Sequence, residues 1–129
     1  MKLGSRTWVR SLLLSCVAAG AMAGAAHAKE VKFKGEVYSP ESGVICDKKA
    51  GFCADTEGLA VALTKMYLGE KAEKRLMDRI RPEPGVQNYD TRTFVLTNGV
   101  ACDCNAKACK VSKHENKLDA AHTKALFGK

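Results

Sequence analysis

Gly43-Val44-Ile45-Cys46-Asp47, followed by Cys53, returns in the chain as Gly99-Val100-Ala101-Cys102-Asp103 followed by Cys109, with six residues between the cysteines each time. The correspondence continues past the second cysteine. Leu59, Ala62, Thr64, Lys65 and Gly69 fall opposite Leu118, Ala121, Thr123, Lys124 and Gly128 once three extra residues are allowed after Cys109. Two units, about 43–69 and 99–128, are therefore copies of one pattern, each the length of a single supersecondary element.

Each unit reads as strand, turn, strand, helix. Gly-Val-x-Cys is a short strand, the polar stretch Asp47-Lys48-Lys49-Ala50-Gly51 a turn, and Phe52-Cys53 the start of a return strand. In unit one Asp55 is the expected helix N-cap and Glu57 suits the positive helix start. Leu59, Ala62, Leu63, Met66 and Tyr67 then form an apolar stripe that Gly69 ends. Ala72, Leu76 and Ile80 continue a second helix until Pro82 and Pro84 stop it. Unit two is expected to hold a strand over 93–101 and a last helix over about 116–127, and the proline-containing stretch 81–90 links the units. Ahead of unit one, Val31, Phe33 and Val37 alternate with charged residues as a half-buried strand should. The sum is an α+β fold, a small antiparallel sheet with helices on one face, duplicated and disulfide-braced.

The repeat also bears on the cysteines. Identical spacing favours Cys46 with Cys53 and Cys102 with Cys109, each pair bridging the arms of a turn. Cross-unit bonds remain the alternative, because connectivity does not follow from spacing alone. Cys104 is left over as the free-thiol candidate.

The first 28 residues carry Lys2, Arg6 and Arg10 and then an apolar, small-residue run that ends in Ala26-His27-Ala28. This is the pattern of a cleavable secretory signal cut after Ala28, leaving 29–129 as a single mature domain. A membrane anchor needs about 20 strongly apolar residues, more than this diluted run offers. A lipid-modified Cys16 would leave too short an apolar core before it. The chain of 129 residues has 21 basic and 14 acidic side chains, a formal charge of +7, of which the signal accounts for three. No dense basic block interleaved with aromatics remains, so nucleic acid is not an expected partner. A domain of this size that is exported and cysteine-rich is expected in the periplasm or outside the cell.

The quoted motifs, together with Leu63-Thr64, Tyr67-Leu68-Gly69, Phe94 and Asn98-Gly99-Val100, resemble the Fels prophage-protein-like family of small exported bacterial proteins. The resemblance covers most of the chain from Gly43 to Cys109. It implies an exported domain with two cysteine pairs and no assigned activity; Cys104 is an addition to the family pattern.

Where the two units differ, the fold does not demand the residue. Cys104 replaces Lys48 and His122 replaces Leu63. Cys102, Cys104, Cys109 and His114 are the candidate ligands of a Cu or Zn site, since thiolate and imidazole suit those ions. Cys104 alone would be an unpaired surface thiol, a link to a second copy, or an exchange partner for the neighbouring disulfide. His122 on the helix stripe reads as a hydrogen-bonded, partly buried histidine, and Asp47 and Asp103 as turn residues bonding nearby amides. Hydrolase, zincin and phosphate-loop motifs do not occur. The expected function is a non-enzymatic module, without cofactor, that binds an envelope or extracellular macromolecule. Metal or thiol handling through Cys104 is the alternative.

Overall fold

The computed structural model describes residues 29–81, 84 and 89–129. The expected signal segment 1–28 and most of the linker lie outside the described residues. The order of elements is β1 (Val31–Lys32), β2 (Val37–Ser39), β3 (Ile45–Asp47), β4 (Phe52–Asp55), β5 (Gly58–Leu59), α1 (Val61–Leu68) and α2 (Glu70–Ile80), then β6 (Thr93–Val95), β7 (Ala101–Asp103), β8 (Ala108–Ser112), β9 (Glu115–Leu118) and α3 (Ala120–Phe127). The strands form two antiparallel sheets, β1-β2-β3-β4-β5 and β6-β7-β8-β9, so the fold is α+β with one sheet per repeat.

The duplication is visible residue by residue. Tyr38 pairs with Cys46 and Cys46 with Cys53; in the second sheet Phe94 pairs with Cys102 and Cys102 with Cys109. Each cysteine pair is a cross-strand disulfide with its Cα atoms 4.0 Å apart. The first helical turn after each hairpin docks in the same way. The Thr64 hydroxyl accepts the Cys53 amide at 2.8 Å, and the Thr123 hydroxyl accepts the Cys109 amide at 2.8 Å. A buried amide left without an acceptor costs about 1–3 kcal/mol, so both threonines are fixed by the strand they serve.

Several local expectations are corrected. Residues 31–37 are not one strand: Phe33 donates its amide to the Val37 carbonyl and the chain reverses between β1 and β2. Residues 93–101 are likewise two strands, joined by a turn in which the Leu96 amide donates to the Val100 carbonyl and the Gly99 amide to the Leu96 carbonyl. Asp55 does not cap a helix. It ends β4, accepts the Glu57 amide at 2.8 Å, and opens a tight turn into β5. Helix α1 starts later, at Val61, with Ala60 as its N-cap. The last helix starts at Ala120 rather than near 116, because 115–118 pair with β8 as β9.

The main core joins the two units. Val37, Ile45, Phe52 and Ala54 of the first sheet pack with Leu76 of α2 and with Phe94, Leu96 and Leu126 of unit two. The Phe52 and Phe94 rings meet edge to face, 5.7 Å between centroids. Helix α1 covers the opposite, disulfide-bearing face of the first sheet through Leu63, Tyr67 and Leu68. Gly58 marks the seam. Its φ is +125°, and a Cβ there would lie 2.2 Å from the Thr91 carbonyl oxygen, which accepts the Leu59 amide at 2.8 Å.

Candidate functional site

The two sheets use the same face differently. In the first, Ile45 pairs with Ala54 and Ala54 with Leu59. In the second, the corresponding row is Val95, Ala101, Lys110 and Leu118. Cross-strand partners project to one side, so these rows are equivalent faces. Ile45 and Ala54 are 0% exposed, whereas Val95 is 46% and Leu118 is 56% exposed.

Side-chain volume changes with the exposure. Ile45 and Phe52 of the covered face stand opposite Ala101 and Ala108 of the open one. The alanines leave a groove of about 480 Å³, lined also by Tyr89, Val95, Lys110 and Lys113. Tyr89 is itself 45% exposed. Tyr89 and Val95 line the groove, and Leu118 lies at the far end of the same row, beyond Lys110. Lys110, between Ala101 and Leu118 on the inner strand β8, and Lys113 make this face positive.

The residues singled out by comparing the units lie elsewhere. Cys104 is not a surface residue; it is free but 1% exposed within the core joining the units. Its Sγ lies 3.6 Å from the Asp55 carbonyl, and its amide donates to Arg92 at 2.8 Å. Burial pushes the thiol up to about 11, against a smaller opposing pull from Arg92. A thiol in that range supplies almost no thiolate near neutral pH, so disulfide exchange and bonding to a second copy both require the core to open.

The expected metal ligands are not assembled. Cys102 and Cys109 are bonded to each other, Cys104 faces the Asp55 carbonyl, and His114 sits at the exposed turn between β8 and β9. Among the described residues no group of three or more histidine, cysteine or acidic side chains is placed to hold an ion.

His122 is 6% exposed and stacks on Phe33, with ring centroids 3.9 Å apart. Its Nδ1 lies 2.8 Å from Asp119 Oδ1 and its Nε2 3.0 Å from the Asn98 side-chain nitrogen. Asn98 Oδ1 accepts the Val100 amide, which turns the Asn98 NH₂ toward the ring. Nε2 is therefore the acceptor and Nδ1–H the donor. Both ring nitrogens are occupied, so this histidine clamps loop to helix. Asp119 also caps α3 by accepting the His122 amide at 2.9 Å. Burial raises its pKa, but hydrogen bonds from the His122 amide and ring hold it below the ordinary value.

Asp47 and Asp103 share a turn role and then diverge. Asp103 accepts the amides of Asn105 and Ala106. Asp47 is fully buried; it accepts the Ala50 amide and also the Thr97 amide and hydroxyl, at 2.6 and 2.9 Å, across the seam.

Paired hairpins, each pinned by a cross-strand disulfide and closed by a helix, define a class of duplicated, disulfide-braced α+β domains in which one repeat buries a face that the other leaves open. The chain belongs to the YcgJ family: the family model described as YcgJ protein matches residues 37–127. That span runs from the first residue of β2 to the last of α3, so both repeats lie within it. A relative from Escherichia coli (strain K12), Uncharacterized protein YcgJ, is 35% identical over 100 residues, covering 72% of this chain and 75% of its own. The matching family has a different name from the one that the cysteine motifs resemble. No solved structure matches. Two disulfides belong to an oxidising compartment, and no described helix is long and apolar enough to cross a membrane.

Proposed function

We propose that this protein is an exported interaction module without enzymatic activity, working in the periplasm or as a secreted protein, that binds an envelope or extracellular macromolecule through the outer face of its second sheet. The reading is carried by one observation: Val95 and Leu118 are exposed on a face whose counterpart in the first repeat is buried. Folding leaves that apolar area in water, and burying it against a partner recovers about 25 cal/mol per Å². The signal-like segment ending at Ala28 and the Fels prophage-like resemblance support export. The occupied ring nitrogens of His122 and the buried Cys104 thiol support binding over catalysis or redox exchange.

The test is site-specific photocrosslinking in bacterial cells that make the protein. A benzophenone side chain is placed at Val95, at Leu118, or at the exposed Lys65 on α1 as the control. Discrete adducts from the first two positions and none from Lys65 are expected. Absence of adducts at Val95 and Leu118 would remove this face as a binding site. In the same cells the protein recovered from the periplasm or medium should begin at Lys29, and retention in the cytoplasm would overturn export.

A further inference from the structure

We infer that the occupant of the open face is an amphipathic helix of a partner protein, with a small-aliphatic-aliphatic stripe at i, i+4 and i+8 and acidic residues beside it; this rests on the binding role proposed above. The first repeat supplies the template. There the equivalent face packs partly on Phe94, Leu96 and Leu126 of unit two and partly on α2, whose Ala72 and Leu76 are buried and whose Ile80 packs against the core. Arg79 of the same helix donates to the Ala50 carbonyl and lies 6.0 Å from the Phe52 ring, which places α2 along β4. The repeat pairs α1 with α3 and assigns no counterpart to α2. The second sheet thus presents the surface that α2 partly covers in the first, without the helix.

Differences between the faces describe the occupant. Ala106 and Ala108 stand where Ala50 and Phe52 meet α2, so a helix can sit closer to the second sheet and insert a larger side chain into the groove. Lys110 stands mid-face where the first repeat has Ala54, and Lys113 lines the groove, whereas Asp103 spends a carboxylate oxygen on two backbone amides. An incoming helix with acidic flanks meets this charge, and a basic one is repelled. Charge also argues against a second copy. Two such faces packed about a two-fold axis through the central row would set Lys110 against Lys110.

The probe is a stapled peptide of the α2 sequence Glu70–Ile80, retaining Ala72, Leu76 and Ile80. In one version the charges are unchanged; in the other Lys71→Glu, Lys74→Glu, Arg75→Glu and Arg79→Glu are made. Each is titrated into the ¹⁵N-labelled, disulfide-bonded protein. Saturable shifts are expected at the amides of Val95, Ala101, Lys110 and Leu118, with the acidic peptide binding about tenfold tighter. The double variant Lys110→Glu with Lys113→Glu should reverse that preference. The inference is overturned if neither peptide gives saturable shifts, if the two bind equally, or if dilution alone moves the same amides, which would mean a second copy. Crosslinks at Val95 that persist despite a negative titration would sink only the helix; loss of both would sink the binding role.

Discussion

Cys104 sits two positions after a disulfide cysteine, yet its environment makes it inert. The core that encloses it raises the thiol to about 11, from an ordinary 9.0, mainly by removing water from the thiolate. At pH 7.5 that lowers the reactive fraction on the order of 100-fold. Ellman's reagent should therefore label the native protein slowly and the denatured protein fully, and rapid native labelling would show that the core opens. Because the folded value lies above the unfolded one, this contribution to stability is complete below pH 9 and is lost as pH climbs toward 11. Cys104→Ala should flatten that alkaline decline in urea unfolding. Asp119 has the opposite sign. Its folded value is depressed, so its contribution is present above the ordinary 3.8 and lost as pH falls through the folded value. Asp119→Ala should cost about 1 kcal/mol at pH 6, the usual worth of a helix cap. Against the parent, that deficit should shrink as pH falls below the ordinary 3.8 and through the depressed folded value.

Helices α1 and α3 are each locked to the preceding hairpin by one hydroxyl, Thr64 or Thr123, which holds a cysteine amide. Thr64→Val and Thr123→Val preserve shape but remove the acceptor, and each should lower unfolding free energy by about 2 kcal/mol without changing the denaturant slope. Equal losses would mean that the two locks are equivalent, as their geometry indicates. A loss near zero at either site would mean that the amide finds another partner. These threonines were legible because the repeat aligns them. The short strands were not. Glu115-Asn116-Lys117-Leu118 is exposed along its whole length and carries no alternation, so nothing local separates it from the helix that follows. Asp55 reads as a cap because Asp-x-Glu also begins helices; only the positive φ of Gly58, forced by Thr91 alongside, turns the chain into β5. The open face was hidden for a related reason. Its signal is the exchange of Ile45 and Phe52 for Ala101 and Ala108, which means little until the register shows all four on equivalent faces.

Duplicated units have to be joined, and the joint breaks their symmetry. The first sheet's inner face is buried partly by α2 and partly by unit two, so the second sheet cannot be buried the same way in return. Asp47 records this asymmetry most sharply. Its copy, Asp103, serves its own turn, whereas Asp47 also takes the amide and hydroxyl of Thr97 from the other unit. Removing Asp47 takes the acceptor from the Thr97 amide and hydroxyl at the seam and from the Ala50 amide, three part-buried hydrogen bonds to a carboxylate worth about 1.5–3 kcal/mol each. Asp47→Ala should therefore cost upwards of about 3 kcal/mol and speed hydrogen exchange at Thr97 in unit two. Asp103→Ala, in a partly exposed turn where water can replace the carboxylate, should cost about 1 kcal/mol and leave the seam protected. Unfolding curves of both variants, read with exchange at the Thr97 amide, separate the cases. Equal costs would mean that the turn role dominates in both units and that the apolar contact of Phe52 with Phe94 holds the halves together without the buried carboxylate.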